Sequence, residues 1–167
     1  MTNFNTENLT AFSSASGTAG RVVAARIFPD MDVISAFEEI CTKHGIKNGQ
    51  ITTTIGSLRK INLHYVSRVA PAEGEKYTTH LEMEGPFSVL SGQGLVSLGD
   101  EPGTVNIHYH AVVSGQDDVI YGGHIEKGTV TLTTMDVFIQ ELHGIEISRE
   151  RDESTGVSIV VTAFKEV

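Results

Sequence analysis

With a single cysteine, Cys41, the chain can form no internal disulfide. A lone thiol is compatible with a reducing compartment, and the cytoplasm is the expected location. No apolar run approaches the ~20 residues of a membrane-spanning helix, so no membrane partner is expected. The first residues lack a basic start followed by a continuous apolar stretch, and they do not read as a signal peptide. Basic residues are few, with 12 Lys and Arg against 21 Asp and Glu and a formal charge of −9. They are also scattered, Arg59-Lys60 being the one adjacent pair. Duplex DNA binding draws most of its affinity from clustered cations over phosphates, so this balance disfavours DNA as a partner. The sequence shows no convincing Ser-His-Asp arrangement, phosphate loop or dinucleotide fingerprint. No repeat, heptad or linker divides the 167 residues, which fit one domain with a substantial core.

Against these absences stand three histidines. His108 and His110 lie two apart in Val105-Asn106-Ile107-His108-Tyr109-His110, a run that reads as a strand. Successive strand side chains point to opposite faces, so this spacing puts both imidazoles on one face and Tyr109 on the other. His124, in Gly122-Gly123-His124, follows a Gly/Asp-rich turn that would let a hairpin partner bring a third imidazole alongside. Three converging neutral imidazoles with an open fourth position are a recurring way to hold a catalytic divalent metal, zinc above all. The competing reading is a solvated strand face, or an imidazole cluster between subunits.

Around them the chain reads as mostly β. Residues 1–19, rich in Ser, Thr, Asn and Ala, read as a flexible N-terminal arm, and 20–167 as a single domain. A first strand over 21–28 is closed by Pro29-Asp30. One helix is expected from about Asp32 to His44, where Val33, Ile34, Phe37, Ile40, Cys41 and His44 recur at helical spacing and Gly45 suits a C-terminal cap. Strands are expected over 50–55 and 60–68, broken at Gly56-Ser57, with a loop at 70–74. Two more run over 77–84 and 87–98, broken at Gly85-Pro86. Further strands cover 104–113 and 129–139, a charged turn spans 149–155, and a last strand covers 157–164. The implied fold class is α+β, a mostly antiparallel, curved, barrel-like sheet with one main helix packed on it.

In order along the chain, the Asp32-to-Gly45 helix, Ile55-Gly56-Ser57-Leu58, Leu90-Ser91-Gly92-Gln93-Gly94, His108-Tyr109-His110, Gly122-Gly123-His124 and Thr133-Thr134-Met135-Asp136-Val137-Phe138 resemble the plant and prokaryote conserved (PPC) domain. The resemblance covers about 21–139. It implies a barrel-like α+β unit assembled as a homotrimer, whose bacterial members often carry DNA-binding names. Plant members add a basic AT-hook that grips the minor groove, and no Arg-Gly-Arg-Pro hook occurs in this chain. The implied fold is also similar to that of acetolactate decarboxylase, a zinc enzyme with a His-x-His pair and a third His. By that likeness His108, His110 and His124 would be metal ligands, and a carboxylate-type small molecule would occupy the open position.

Two further residues are candidates for chemistry. Glu126 lies two residues beyond His124 on the same strand face, where it would orient a ligand or act as general base, or else be a solvated charge. Arg59, after the Gly56-Ser57 bend, would hold a substrate carboxylate bidentately, or else form a surface ion pair. His64 and His80 read as isolated strand residues able to line a subunit cleft, and Cys41 as inert core.

Overall fold

The structure, a computed structural model, describes residues 13–68, 77–152 and 159–167. Its elements run β1 (Thr18–Ile27), α1 (Val33–His44), β2 (Gly49–Val66), β3 (Thr78–Leu98), β4 (Val105–Gly115), β5 (Ile120–Ile125), β6 (Val130–His143), β7 (Ile145–Asp152) and β8 (Ile159–Glu166). Alternation in β4 fixes the two sides of the sheet. Ile107, Tyr109, Ala111 and Val113 are buried, while His108 is half-buried and His110 exposed on the opposite face.

The buried side of β4 meets the helix. Asp32 caps α1 by accepting a hydrogen bond from the Ser35 N–H at 2.8 Å, and Gly45 ends it in the left-handed conformation at φ 67°. Val33, Ile34, Ala36, Phe37 and Cys41 form the buried stripe. Phe37 meets Tyr109 edge-on with ring centroids 5.1 Å apart, an arrangement that adds about 0.5–1.5 kcal/mol to its burial. The histidine face of β4 is therefore the face away from the helix. His44, expected on the apolar side of α1, is exposed.

Six strands form one antiparallel sheet in the order β1-β6-β2-β3-β4-β5, and β2 also pairs with β5. That extra pairing closes β2, β3, β4 and β5 into a partial ring. Strand β2 makes it possible by changing neighbours along its length. Its first part lies against β6, through Lys60 opposite Val130, and its end lies against β5 through Leu63 opposite Ile125 and His64 opposite His124. The register shift between Leu58 and Lys60 falls at this changeover, where a bulge sharpens twist.

The expected breaks at Gly56-Ser57 and Gly85-Pro86 are not breaks. Gly56 pairs with Val89 on one side and Met135 on the other, and its missing side chain lets the β6 backbone come close. Pro86 sits beside the bulge, between the Lys60–Glu84 and Leu58–Phe87 pairs, a position where a residue without N–H is tolerated. The first strand starts at Thr18, opposite His143, so Thr18 and Ala19 belong to the sheet rather than to an arm. Residues 1–12 of the expected arm and the 70–74 loop lie outside the described residues. The expected charged turn at 149–155 begins instead as strand, because Arg149, Glu150 and Arg151 pair with Thr162, Val161 and Val160 in the β7–β8 hairpin. The last strand runs Ile159–Glu166 and ends two residues later than expected, while residues 153–158 lie outside the described residues.

Candidate metal centre

Antiparallel pairing of β4 with β5 sets His110 directly opposite His124, and the period of β4 sets His108 beside them. Ring centroids are 5.0 Å apart for His108 and His110, 4.9 Å for His108 and His124, and 5.2 Å for His110 and His124. Nε2 of His108 lies 3.1 Å from Nε2 of His110. One nitrogen from each of the three rings lies within 4.8 Å of the others. A tetrahedral zinc with Zn–N of about 2.0–2.1 Å needs its nitrogens roughly 3.3–3.5 Å apart, so small ring rotations close the set.

Electrostatics prepare the same rings. Burial, with the positive charge of Arg149 next, lowers the His108 pKa from 6.5 to about 4. Burial and then the neighbouring His64 lower that of His124 to about 4, with Glu126 opposing. His110 is lowered as well, chiefly by burial and then by His64. All three are neutral at pH 7, the form that ligates metal without first losing a proton.

The structure brings in two residues whose place the sequence did not reveal. His64 does not stand isolated: it stacks on His124 at 4.6 Å with the rings 26° apart. Its Nδ1 lies 2.8 Å from Oε1 of Glu126, though the ring is not aligned to donate and the atom is otherwise buried without a partner. His64, His124 and Glu126 thus form a second donor group sharing His124 with the first. Gly123 permits this approach, because a side chain there would run into the His64 carbonyl. The alternation Ile61-Asn62-Leu63-His64, with Ile61 and Leu63 buried, could have put His64 on the histidine face. Arg149 is the second. Its signal was the shared parity with Ile147, which is fully buried, so the guanidinium turns inward.

These side chains open on a cavity of about 600 Å³ lined by His64, His108, His110, His124, Glu126 and Arg149, with Tyr65, Val66, Tyr77 and Val160 as its apolar part. Arg59 stands elsewhere, on the bulge of β2, where its guanidinium pairs with Asp30. His80 is exposed with its ring 5.2 Å from that of His64. Cys41 is fully buried, and its thiol is pushed up to about 12 by that burial, which keeps it inert.

Several known proteins share this arrangement of strands. A metal-containing protein from Archaeoglobus fulgidus is 25% identical with a TM-score of 0.74, the match covering 90% of this chain and 99% of that one. A Bacteroides thetaiotaomicron protein provisionally named as DNA-binding has a TM-score of 0.65 over 87% of this chain and 96% of its own. At 18% identity that likeness speaks to the fold alone. The bifunctional protein GlmU of a Synechococcus strain is 25% identical over 136 residues, 81% of this chain but 19% of that protein, so the chain spans about a fifth of its length. Residues 14–143 match the Plants and Prokaryotes Conserved (PCC) domain, and the chain belongs to that family.

Proposed function

We propose that this domain holds one divalent cation, zinc by the all-imidazole donor set, on His108, His110 and His124, and binds a small carboxylate-type molecule beside it. The observation that carries the reading is the mutual approach of three neutral imidazoles at the wall of a 600 Å³ cavity. The metal-containing character of the Archaeoglobus relative supports it. A bound divalent ion would supply Lewis acidity at that wall, suited to a lyase or hydrolase step.

The protein's own groups divide the remaining work. Glu126 faces His64 and His124 across the donor group, where it steadies the imidazoles and is placed to take up a proton from a bound molecule. Arg59 keeps its ion pair with Asp30 at the bulge that re-aims β2. The domain is proposed to work in the cytoplasm as a homotrimer. Exposed Ile55, Leu90 and Phe138 on three strands of the sheet supply apolar surface for assembly. Light scattering on the purified chain tests that state.

Diffraction recorded across the zinc absorption edge tests the centre. One anomalous peak within about 2.3 Å of a nitrogen from each of the three rings is the expected result. A peak elsewhere, or none after zinc is supplied, would refute it.

A second reading is a DNA-associated regulatory domain, favoured by the provisional name of the Bacteroides protein. The charge of −9 opposes it. A mobility-shift titration separates the two, since tight binding that weakens steeply with salt belongs to the DNA reading alone.

A further inference from the structure

Only two cationic side chains are half-buried among the described residues, Lys60 and Arg149. Lys60 pairs with Glu82, but among the described residues Arg149 meets no carboxylate within ion-pair distance. Its Nη2 donates to the Val160 carbonyl at 3.4 Å, and its Nη1 is buried with no hydrogen-bond partner among the described residues. A buried guanidinium N–H left unpaired costs a few kcal/mol, and natural sites keep such groups where a ligand completes them. Arg149 also lies on the β7–β8 hairpin, beyond residue 143 where the family match ends.

The lining of the cavity says what would complete it. Its lining holds one basic side chain, Arg149, and one acidic side chain, Glu126, beside four histidines. A divalent cation on three of those rings makes the cavity net positive inside an acidic protein. An anion is the balancing species. Tyr65, Val66, Tyr77 and Val160 form an apolar wall on the same cavity, which suits a body of carbon rather than a bare inorganic ion.

We infer that Arg149 is the anion-binding residue of this site, holding the carboxylate of a small acid whose apolar portion lies on Tyr65, Val66, Tyr77 and Val160. The inference rests on the metal centre proposed above. A planar guanidinium fork matches a carboxylate in a way that an ammonium does not. Because Arg149 lines the same cavity as the three rings, an acid bound to it would lie in the space beside a metal they held.

The test uses the 167-residue chain loaded with cobalt(II), with wild type, Arg149→Gln and Arg149→Lys compared. Metal content is measured by elemental analysis, folding by circular dichroism, and binding of benzoate and of inorganic phosphate by calorimetry. All three proteins are expected to hold cobalt. Benzoate is expected to bind wild type more tightly than phosphate does, and its dissociation constant is expected to rise about tenfold or more in Arg149→Gln and by less in Arg149→Lys. Equal benzoate affinity in wild type and Arg149→Gln, or no benzoate binding by cobalt-loaded wild type, overturns the inference and leaves the metal centre standing. Tighter binding of phosphate overturns the carboxylate assignment. Failure of wild type to take up cobalt overturns the metal centre, and this inference with it.

Discussion

His124 stands between two histidines from different strands: His110 of β4 is its cross-strand partner on one side, and His64 of β2 on the other. The six-residue β5 is thus the element on which β2 and β4 converge, and Gly123 sets its distance from β2. Substituting Gly123→Ala is expected to push β5 off the His64 carbonyl, lower metal affinity at least about tenfold, and cost about 1–3 kcal/mol of stability. Competition with a chromogenic chelator and thermal unfolding measure the two effects. An alanine variant with unchanged affinity would show that this spacing does not matter.

In the proposed centre, Glu126 and His64 would support the ligands rather than complete the three-histidine set. Glu126→Gln and His64→Ala are each expected to weaken metal binding by about 10–100-fold while leaving one metal per chain at saturation. Chelator competition gives the affinity and elemental analysis the stoichiometry. If either variant loses the metal altogether, that residue is a ligand in its own right.

Acid acts on the same rings. His108 and His124 titrate at about 4 in the folded chain against 6.5 for a free imidazole. Between those values the unfolded chain binds more protons than the folded one, so stability rises with pH. Metal-free protein is expected to keep this contribution above about pH 6.5 and to lose it progressively toward about pH 4. Thermal unfolding of the wild type and of a His108→Asn, His124→Asn double variant across that window isolates the effect from the carboxylates. The variant should lose less stability on acidification; an equal loss would contradict the assignment.

The helix-side core depends on a buried contact of β2, β3 and β4. The Thr54 and Tyr109 hydroxyls share a 2.6 Å hydrogen bond, and Thr54 also donates to the Gly92 carbonyl at 3.3 Å. A side chain at Gly92 would collide with both hydroxyls. Gly92→Ala is expected to cost about 2 kcal/mol or more, lowering Tm by roughly 4–8 °C. Tyr109→Phe, which removes one partner, should cost about 1–3 kcal/mol. An unchanged Tm in Gly92→Ala would mean that the strands shift freely there.

What the sequence disclosed follows the range of the forces involved. Capping at Asp32 and Gly45, the buried stripe of α1 and the single face shared by His108 and His110 are local, and were legible from spacing alone. Glycines at 56 and 85 misled, because in this sheet they mark close backbone approach rather than chain reversal. His64 and Arg149 were hidden for a different reason. Their own strands fix only the side on which each projects. That they face the histidine cavity depends on β2 changing partners at its bulge and on β7 packing against β3, relations between segments distant in sequence. Arg59, open in the sequence to a carboxylate-binding role or a surface ion pair, pairs with Asp30 and is absent from the lining of the histidine cavity.

The account rests on a metal held by His108, His110 and His124. Elemental analysis of tag-free protein purified without chelator, wild type beside the three single alanine variants, tests this most directly. One divalent metal per wild-type chain, lost in each folded variant, is the predicted result. A wild-type chain that carries no metal and takes none up, or variants that bind it as well as the wild type does, would contradict the account.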